Sequence, residues 1–309
     1  MVWGDLGTVE FTDPFFDDTI ARWTAGKPRA TVHTNLDTLV ELDRAPTLEP
    51  SGLIFHLSRC GSTLITRLLR QVPGTVVVSE PDIVNRLLIA DEALIDEAAR
   101  VRLLRLIIRA LGRQRRGNER HFVIKLSSWS VRRFDWLRRA FPAAPVIWVQ
   151  RRPAEILTSL LAKRPGWRYW KDEPAIAAAI FGIPVAQVAA LDDAAFYAGA
   201  LAAMLEAAAA IEPGAVSTID YAELPMAAWT MAAPRFGLCP DVADIARMQV
   251  EAQYYSKDSK PRMFEPSAPA KVSDAVRRLA TERLDALYEL LSRSQASKAR
   301  LPRLAASQS

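Results

Sequence analysis

Short apolar runs that alternate with helical segments constrain the fold of this chain more than any other feature. Such runs lie at residues 52–57, 75–79, 121–126, 145–150 and 215–220. They are rich in β-branched residues, and polar residues and a helical pattern follow them. Strands of a parallel sheet have this composition because helices cover both faces of the sheet. We therefore predict a single α/β domain with a central, mostly parallel sheet of about five strands flanked by helices.

Apolar residues at helical spacing predict the elements between the strands. Leu64, Ile65, Leu68 and Leu69 indicate a helix directly after the first strand. Longer helices are predicted over residues 92–113, 194–211, about 240–252 and 273–293, with a helical segment SVRRFDWLRRAF between the third and fourth strands.

The domain boundaries follow from the same patterns. Residues 1–50 form an N-terminal lead-in that ends in a proline-containing segment, and residues 51–294 form the α/β domain. The small, basic tail at residues 295–309 is expected to be disordered.

Composition indicates a soluble globular protein, because 50% of the 309 residues are hydrophobic and 24% are charged. The net charge of +5 suits anionic small molecules and nucleic acid equally. Two cysteines, Cys60 and Cys239, are too few for a disulfide framework, so we expect a reducing cytoplasm. The acidic N-terminus is unlike a signal peptide, and the alanine-rich run contains Glu206, so no membrane span is expected.

The segments that follow the strands are the candidate site segments. SRCGST, SEP, KLSSW and QRRP each begin where a predicted strand ends. Ligands of open parallel sheets bind beyond the carboxyl ends of the strands, so these four segments are expected to converge.

The segment SRCGST has the residues of an anion-binding loop. Arg59 supplies a cation, Gly61 allows close approach of the backbone, and Ser62 and Thr63 supply hydroxyls at a helix start. An ordinary capped turn between a strand and a helix has the same residues. A Walker A loop is excluded because no lysine follows Gly61, and a cysteine phosphatase loop is excluded because Thr66 stands where its arginine would be.

The sequence Arg59-Cys60-Gly61-Ser62-Thr63 resembles the 5'-phosphosulfate loop of the sulfotransferases. These enzymes use 3'-phosphoadenosine 5'-phosphosulfate (PAPS) and have a fold like that of the P-loop NTPases. Tyrosylprotein sulfotransferases and several bacterial branches carry an arginine at the first position, as here. The resemblance implies that all five residues contact the 5' end of PAPS, with Cys60 as a small filler.

Two further motifs extend the resemblance over residues about 52–265. Arg151, Pro153 and Ser159 have the spacing of the family's 3'-phosphate site, which implies that Arg151 and Ser159 bind that phosphate. The segment that begins Tyr221-Ala222-Glu223-Leu224 is similar to a family segment whose tyrosine contacts adenine. The family's C-terminal Arg-Lys-Gly signature is absent. Basic residues near its expected place are candidates for the same role, although a basic surface loop explains them equally well: Lys257, Lys260 and Arg262.

The resemblance also predicts the chemistry, which is transfer of a sulfuryl group from PAPS to a hydroxyl or an amine without a metal. Arg59 and Lys125 are the candidate cations for the transferred group, and Glu80 is the candidate base. A lysine at a strand end and an acid at a helix N-terminus also have ordinary structural explanations. His33, His56 and His121 are badly placed for a base and are expected to be structural.

The acceptor is expected to be a small molecule of unknown identity. Trp129, Trp167, Tyr169 and Trp170 are candidates for an aromatic pocket or for the core. A P-loop-type small-molecule kinase and a non-catalytic nucleotide-binding protein remain as alternatives, and a homodimer is compatible with the sequence. Nucleic acid is not expected as a partner, because the recurring arginines at positions 102, 105, 109, 113 and 116 form the solvated face of a helix.

Overall fold

The computed structural model of the chain describes residues 1–25, 30–91, 93–254, 263 and 272–299. The strands are β1 (Val2–Gly4), β2 (Thr31–His33), β3 (Gly52–His56), β4 (Thr75–Ser79), β5 (His121–Lys125), β6 (Val146–Gln150) and β7 (Val216–Asp220). Five parallel strands form the central sheet in the order β4-β5-β3-β6-β7, and a two-stranded antiparallel sheet, β1-β2, lies in the first part of the chain. This confirms the predicted parallel α/β sheet of about five strands.

Strand β3 lies at the centre of the sheet between β5 and β6. Every residue of β3 and of β6 is buried, as expected for strands covered on both faces. The chain leaves β3 toward the β4 edge and later crosses to β6 on the other side. A crevice opens at such a reversal of strand order, beyond the carboxyl ends of the strands. The loops that follow β3 and β6 are therefore neighbours at this crevice.

Helices flank the sheet. The α-helices are α1 (Phe16–Thr24), α2 (Asp37–Leu42), α3 (Ser62–Leu69), α4 (Asp82–Ile89), α5 (Glu97–Leu111), α6 (Phe134–Ala140), α7 (Pro153–Ala162), α8 (Pro174–Phe181), α9 (Val185–Val188), α10 (Asp193–Ala209), α11 (Ala233–Arg235), α12 (Val242–Glu251), α13 (Asp274–Arg283) and α14 (Asp285–Ala299). They pack in two groups, since α5 contacts α4 and α6, whereas α10 contacts α7, α13 and α14. Short 3-10 segments follow β5 (Ser128–Arg133), α7 (Gly166–Asp172) and β7 (Tyr221–Glu223), and a π-helical turn lies at Ala228–Ala232.

Two predicted helices differ from the observed ones. The helix predicted over 92–113 begins only at Glu97, because the Asp96 side chain caps it by accepting a hydrogen bond from the Ala99 amide at 2.8 Å. The helix predicted over 273–293 is two helices, α13 and α14, because Leu284 leaves the helical conformation with φ −126°. Helix α14 continues to Ala299, and residues 300–309 lie outside the described residues.

The lead-in packs against the domain through arginines of the predicted solvated face. Arg109 forms ion pairs with Asp43 and Glu49, and Arg105 also pairs with Glu49 at 3.0 Å. Arg116 forms an ion pair with Glu10, and Arg115, which is outside the predicted face, donates a hydrogen bond to the Val9 carbonyl at 2.7 Å. Three arginines of the predicted face thus pair with acidic residues of the lead-in. Within the part of the chain that the structure describes, no helix is long and apolar enough to cross a membrane.

Candidate active site

The loop after β3 has a backbone conformation and close packing at position 61 that favour glycine. Gly61 has φ +85° and is the N-cap of α3, while Arg59 has φ +62°, which is uncommon for a residue with a side chain. A Cβ atom on Gly61 would lie 2.6 Å from Leu224 Cδ1 and 2.9 Å from Tyr221 Cδ2. Because the segment after β7 presses against the loop, a larger residue at position 61 would separate them.

Helix α3 points its N-terminus into the crevice. Ser62 and Thr63 are its first residues and are buried. The Leu64 amide donates to the Gly61 carbonyl at 2.9 Å, whereas the amides of Ser62 and Thr63 come before any carbonyl partner within the helix, and the helix dipole favours an anion there. Cys60 is fully buried, which fits its predicted role as a filler. The loop therefore has the features of an anion-binding loop.

The residues of the predicted 3'-phosphate motif lie beside this loop. The Arg59 Nε donates a hydrogen bond to the Ser159 Oγ at 3.0 Å, although the two residues are 100 positions apart. Arg151 donates to the Arg59 carbonyl at 3.4 Å, and its guanidinium lies 4.2 Å from the centre of the Tyr221 ring. The structure thus brings together one residue on α7 and three residues that follow β3, β6 and β7, namely Ser159, Arg59, Arg151 and Tyr221.

The two arginines raise the positive potential at this point. Burial lowers the pKa of Arg59 below its ordinary value, and the charge of Arg151 lowers it further. The only carboxylate that a salt bridge joins to Arg151, among the described residues, is Glu155, with Nε to Oε2 at 2.7 Å. An anion beside the two guanidinium groups would offset their mutual repulsion.

A second cluster adjoins the loop through Lys125. Its Nζ lies 2.9 Å from Glu80 Oε1 and donates to Thr63 Oγ1 at 3.3 Å. Lys125 is fully buried at the carboxyl end of β5. The predicted cation and the predicted base are therefore ion-paired, and a hydroxyl of the anion-binding loop contacts the cation.

Glu80 is held as a carboxylate at the end of β4. It has φ +51°, a strained conformation that is common at functional sites. Its Oε2 accepts from Ser127 Oγ at 3.4 Å, and its side chain is 21% exposed. Burial raises the pKa of Glu80, but the charges of Lys125 and His56 outweigh burial and hold the pKa well below its usual range. Glu80 is therefore ionised at neutral pH.

His56, which the sequence predicts to be structural, lies beside Glu80 in this cluster. Its ring nitrogens lie 2.8 Å from the Leu57 carbonyl and 2.9 Å from the Leu126 carbonyl, and Nε2 is also 3.5 Å from Glu80 Oε1. Carbonyl oxygens only accept hydrogen bonds, so both nitrogens must carry a proton. Burial lowers the pKa of His56, but bonds to Cys60 and Glu80 raise it to about 9. The available signal was its position as the last residue of β3, at the carboxyl edge.

A cavity of about 290 Å³ opens beside Glu80. The four aromatic residues predicted for an acceptor pocket all line it, and Trp167 is fixed by a hydrogen bond from its indole to Ser58 Oγ at 3.0 Å. We call this cavity the aromatic pocket. Its lining residues are Glu80, Asp82, Asn85, Ile89, Ser127, Ser128, Trp129, Gly166, Trp167, Tyr169 and Trp170.

The remaining predicted cations, Lys257, Lys260 and Arg262, lie outside the described residues. Among the residues that are described, no group of three or more His, Cys, Asp or Glu side chains is placed to hold a metal ion.

No family model and no curated protein matches the chain. Among solved structures, the chain is similar to sulfotransferase STF9 from Mycobacterium avium, with a TM-score of 0.46 and 16% identity over 81% of this chain and 80% of that one. It is similar to a sulfotransferase from Alicyclobacillus acidocaldarius, with a TM-score of 0.46 and 15% identity over 81% and 96% of the chains. It is also similar to the sulfotransferase domain from the curacin biosynthetic pathway, with a TM-score of 0.42 and 13% identity over 77% and 98%. At these values of identity and TM-score, the three likenesses by themselves carry no assignment of activity.

Proposed function

We propose that the chain is a sulfotransferase that moves a sulfuryl group from PAPS to a hydroxyl group of a small acceptor. The observation that carries the proposal is the contact between the loop after β3 and the distant 3'-phosphate motif. Arg59 donates a hydrogen bond to Ser159 at 3.0 Å. Arg151 donates a hydrogen bond to the Arg59 carbonyl, and its guanidinium lies over the Tyr221 ring. This gives two neighbouring anion sites beside one aromatic ring, which suits a nucleotide with phosphate groups at its 5' and 3' positions.

The proposed roles follow the position of each group. The first amides of α3, together with Arg59, Ser62 and Thr63, bind the 5'-phosphosulfate. Arg151 and Ser159 bind the 3'-phosphate, and the Tyr221 ring contacts the adenine. Lys125, which already contacts the Thr63 hydroxyl, neutralises charge on the transferred group.

In the proposed reaction, the acceptor oxygen forms a bond to sulfur while the bond between sulfur and the bridging phosphate oxygen breaks. The electron pair of that bond leaves with the phosphate, and the hydroxyl proton passes to Glu80. Glu80 is ionised and lines the aromatic pocket, as a base for a bound hydroxyl must be. Lys125 and His56 make it a weak base in the free protein. We expect its basicity to rise when the Lys125 ammonium contacts the sulfuryl oxygens instead.

A thermal-shift titration without magnesium tests the nucleotide. We expect 3'-phosphoadenosine 5'-phosphate (PAP), the product of PAPS, to raise the melting temperature, whereas ATP and GTP do not. Stabilisation by ATP alone, or only with magnesium, would support the kinase alternative and would contradict the proposal.

The isosteric variant Glu80→Gln tests the base. We expect it to bind PAP as the parent protein does, but to transfer labelled sulfuryl groups about 10²-fold to 10⁴-fold more slowly. Glu206→Gln, which removes an exposed carboxylate on α10, is the matched control and should transfer at the parent rate. Full turnover by Glu80→Gln would show that another group takes the proton.

A further inference from the structure

We propose that the acceptor held in the aromatic pocket is a compact hydroxyl compound that also carries a positively charged amine. This inference rests on the proposed function, because it assigns the second substrate of the same site. It is carried by the aromatic walls of the pocket, by the sign of its charged residues and by its volume.

Four of the eleven residues that line the pocket are aromatic. Trp129, Trp167 and Trp170 are buried, while Tyr169 is 55% exposed. Trp170 packs edge-on against Trp129 at 5.2 Å and against Tyr169 at 5.6 Å, so the three rings form one continuous surface. Ring faces attract cations as well as apolar groups.

The charged residues of the lining are all acidic. Glu80 and Asp82 line the pocket, and no lysine or arginine is among the described residues that do. The Asp17 carboxylate lies next to Asp82, since its Oδ2 accepts a hydrogen bond from the Asp82 amide at 2.8 Å. Burial raises the pKa of Asp17, and the negative charges of Asp82 and Asp18 add to the rise. The charged groups that line the pocket and its rim are therefore carboxylates, although the whole chain is basic.

The nearby cations leave Asp82 accessible to a ligand. Arg86 pairs with Asp82 at 2.5 Å, but its side chain is 79% exposed and surface ion pairs of this kind are weak, so a ligand ammonium can replace it. Lys125 and His56 contact Glu80 but do not line the pocket. Lys125 also donates a hydrogen bond to Thr63, and His56 to the Leu126 carbonyl. The hydroxyl of a bound acceptor would thus contact the Glu80 carboxylate, and its ammonium would contact the Asp82 carboxylate.

The pocket also has a limited volume. A volume of about 290 Å³ lies at the small end of small-molecule sites, which favours a compact acceptor.

Calorimetric titration with three matched phenols tests the inference, in the absence and in the presence of PAP. The probes are tyramine, its uncharged analogue para-ethylphenol and its anionic analogue para-hydroxyphenylpropionate. We expect tyramine to bind about tenfold more tightly than para-ethylphenol, and the propionate to bind most weakly. Asp82→Asn should reduce the advantage of tyramine severalfold, whereas Glu206→Gln should leave it unchanged.

The outcomes separate this inference from the proposed function. Equal binding of the three phenols, tighter binding of the anion, no binding of any phenol, or an unchanged ratio in Asp82→Asn would each overturn the inference. If PAP binds and the phenols show no charge preference, only the inference fails. If the charge preference is present but PAP does not bind, the pocket has the stated selectivity and the sulfotransferase proposal fails.

Discussion

Replacing Gly61 by alanine tests the close packing on which the anion-binding loop depends. Alanine at φ +85° costs about 1–2 kcal/mol of backbone strain. Its Cβ would also lie 2.6 Å from Leu224 Cδ1 and 2.9 Å from Tyr221 Cδ2, and relief of such overpacking costs about 1–3 kcal/mol. We expect a total loss of about 3 kcal/mol of unfolding free energy.

Gly117→Ala is the matched control, because Gly117 has φ +79° but no atom lies within 4 Å of the position of its Cβ. It should lose only the strain, about 1–2 kcal/mol. Unfolding entropy near 2.1 cal/mol/K per residue converts these values into melting temperatures lower by about 5 °C for Gly61→Ala and about 2 °C for the control.

Scanning calorimetry measures both melting temperatures, and titration with PAP measures the effect on binding. The displaced Tyr221 and Leu224 should weaken PAP binding at least about tenfold in Gly61→Ala, whereas Gly117→Ala should bind PAP normally. Equal losses of stability in the two variants would refute the reasoning from close packing. Normal PAP affinity in Gly61→Ala would refute the placement of the nucleotide at this loop.

Arg151→Ala should weaken PAP binding about tenfold to hundredfold in calorimetry, because it removes a charge-assisted contact. The neighbouring variant Arg152→Ala should weaken PAP binding far less, and equal effects of the two variants would contradict a specific site. Ser159→Ala should weaken PAP binding several-fold, since it removes the hydroxyl that holds Arg59 at 3.0 Å, and an unchanged affinity would argue against the 3'-phosphate assignment. The pKa of His56 is raised from 6.5 to about 9, so its contribution to stability, on the order of 3 kcal/mol, is complete below pH 6.5 and is lost as the pH rises through about 9. Urea unfolding at a series of pH values should show this loss in the parent protein and much less of it in His56→Gln; identical pH profiles would contradict the assignment of an imidazolium.

The strands could be predicted from the sequence because their composition is a local property. The apolar run at 75–79 coincides with β4, and the run at 145–150 differs from β6 by one residue. The order of the strands could not be predicted, because it depends on which strands pair across the sheet rather than on any one segment. Leu284 shows a similar limit, since neither glycine nor proline marks the break between α13 and α14.

The candidate site was predictable where a strand end and a motif coincide. Arg59 and Ser159 are 100 residues apart, yet the motif spacing and the rule for strand ends place both at one crevice. The contacts of His56 were not predictable, because the Leu126 carbonyl reaches it through the pairing of β3 with β5, and Glu80 reaches it only when β4 pairs with β5 as well. The ion pair between Glu80 and Lys125 depends on the pairing of β4 with β5 in the same way.

The most direct test of the account compares the affinity of the protein for PAP and for adenosine 5'-phosphate by calorimetry in the presence of a metal chelator. The two ligands differ only in the 3'-phosphate, which we assign to Arg151 and Ser159. Because the 3'-phosphate would gain a charge-assisted contact from Arg151 and a hydroxyl contact from Ser159, PAP should bind at least about a hundredfold more tightly than adenosine 5'-phosphate. Equal affinities, or binding of neither ligand, would contradict the proposal that this chain is a PAPS-dependent sulfotransferase.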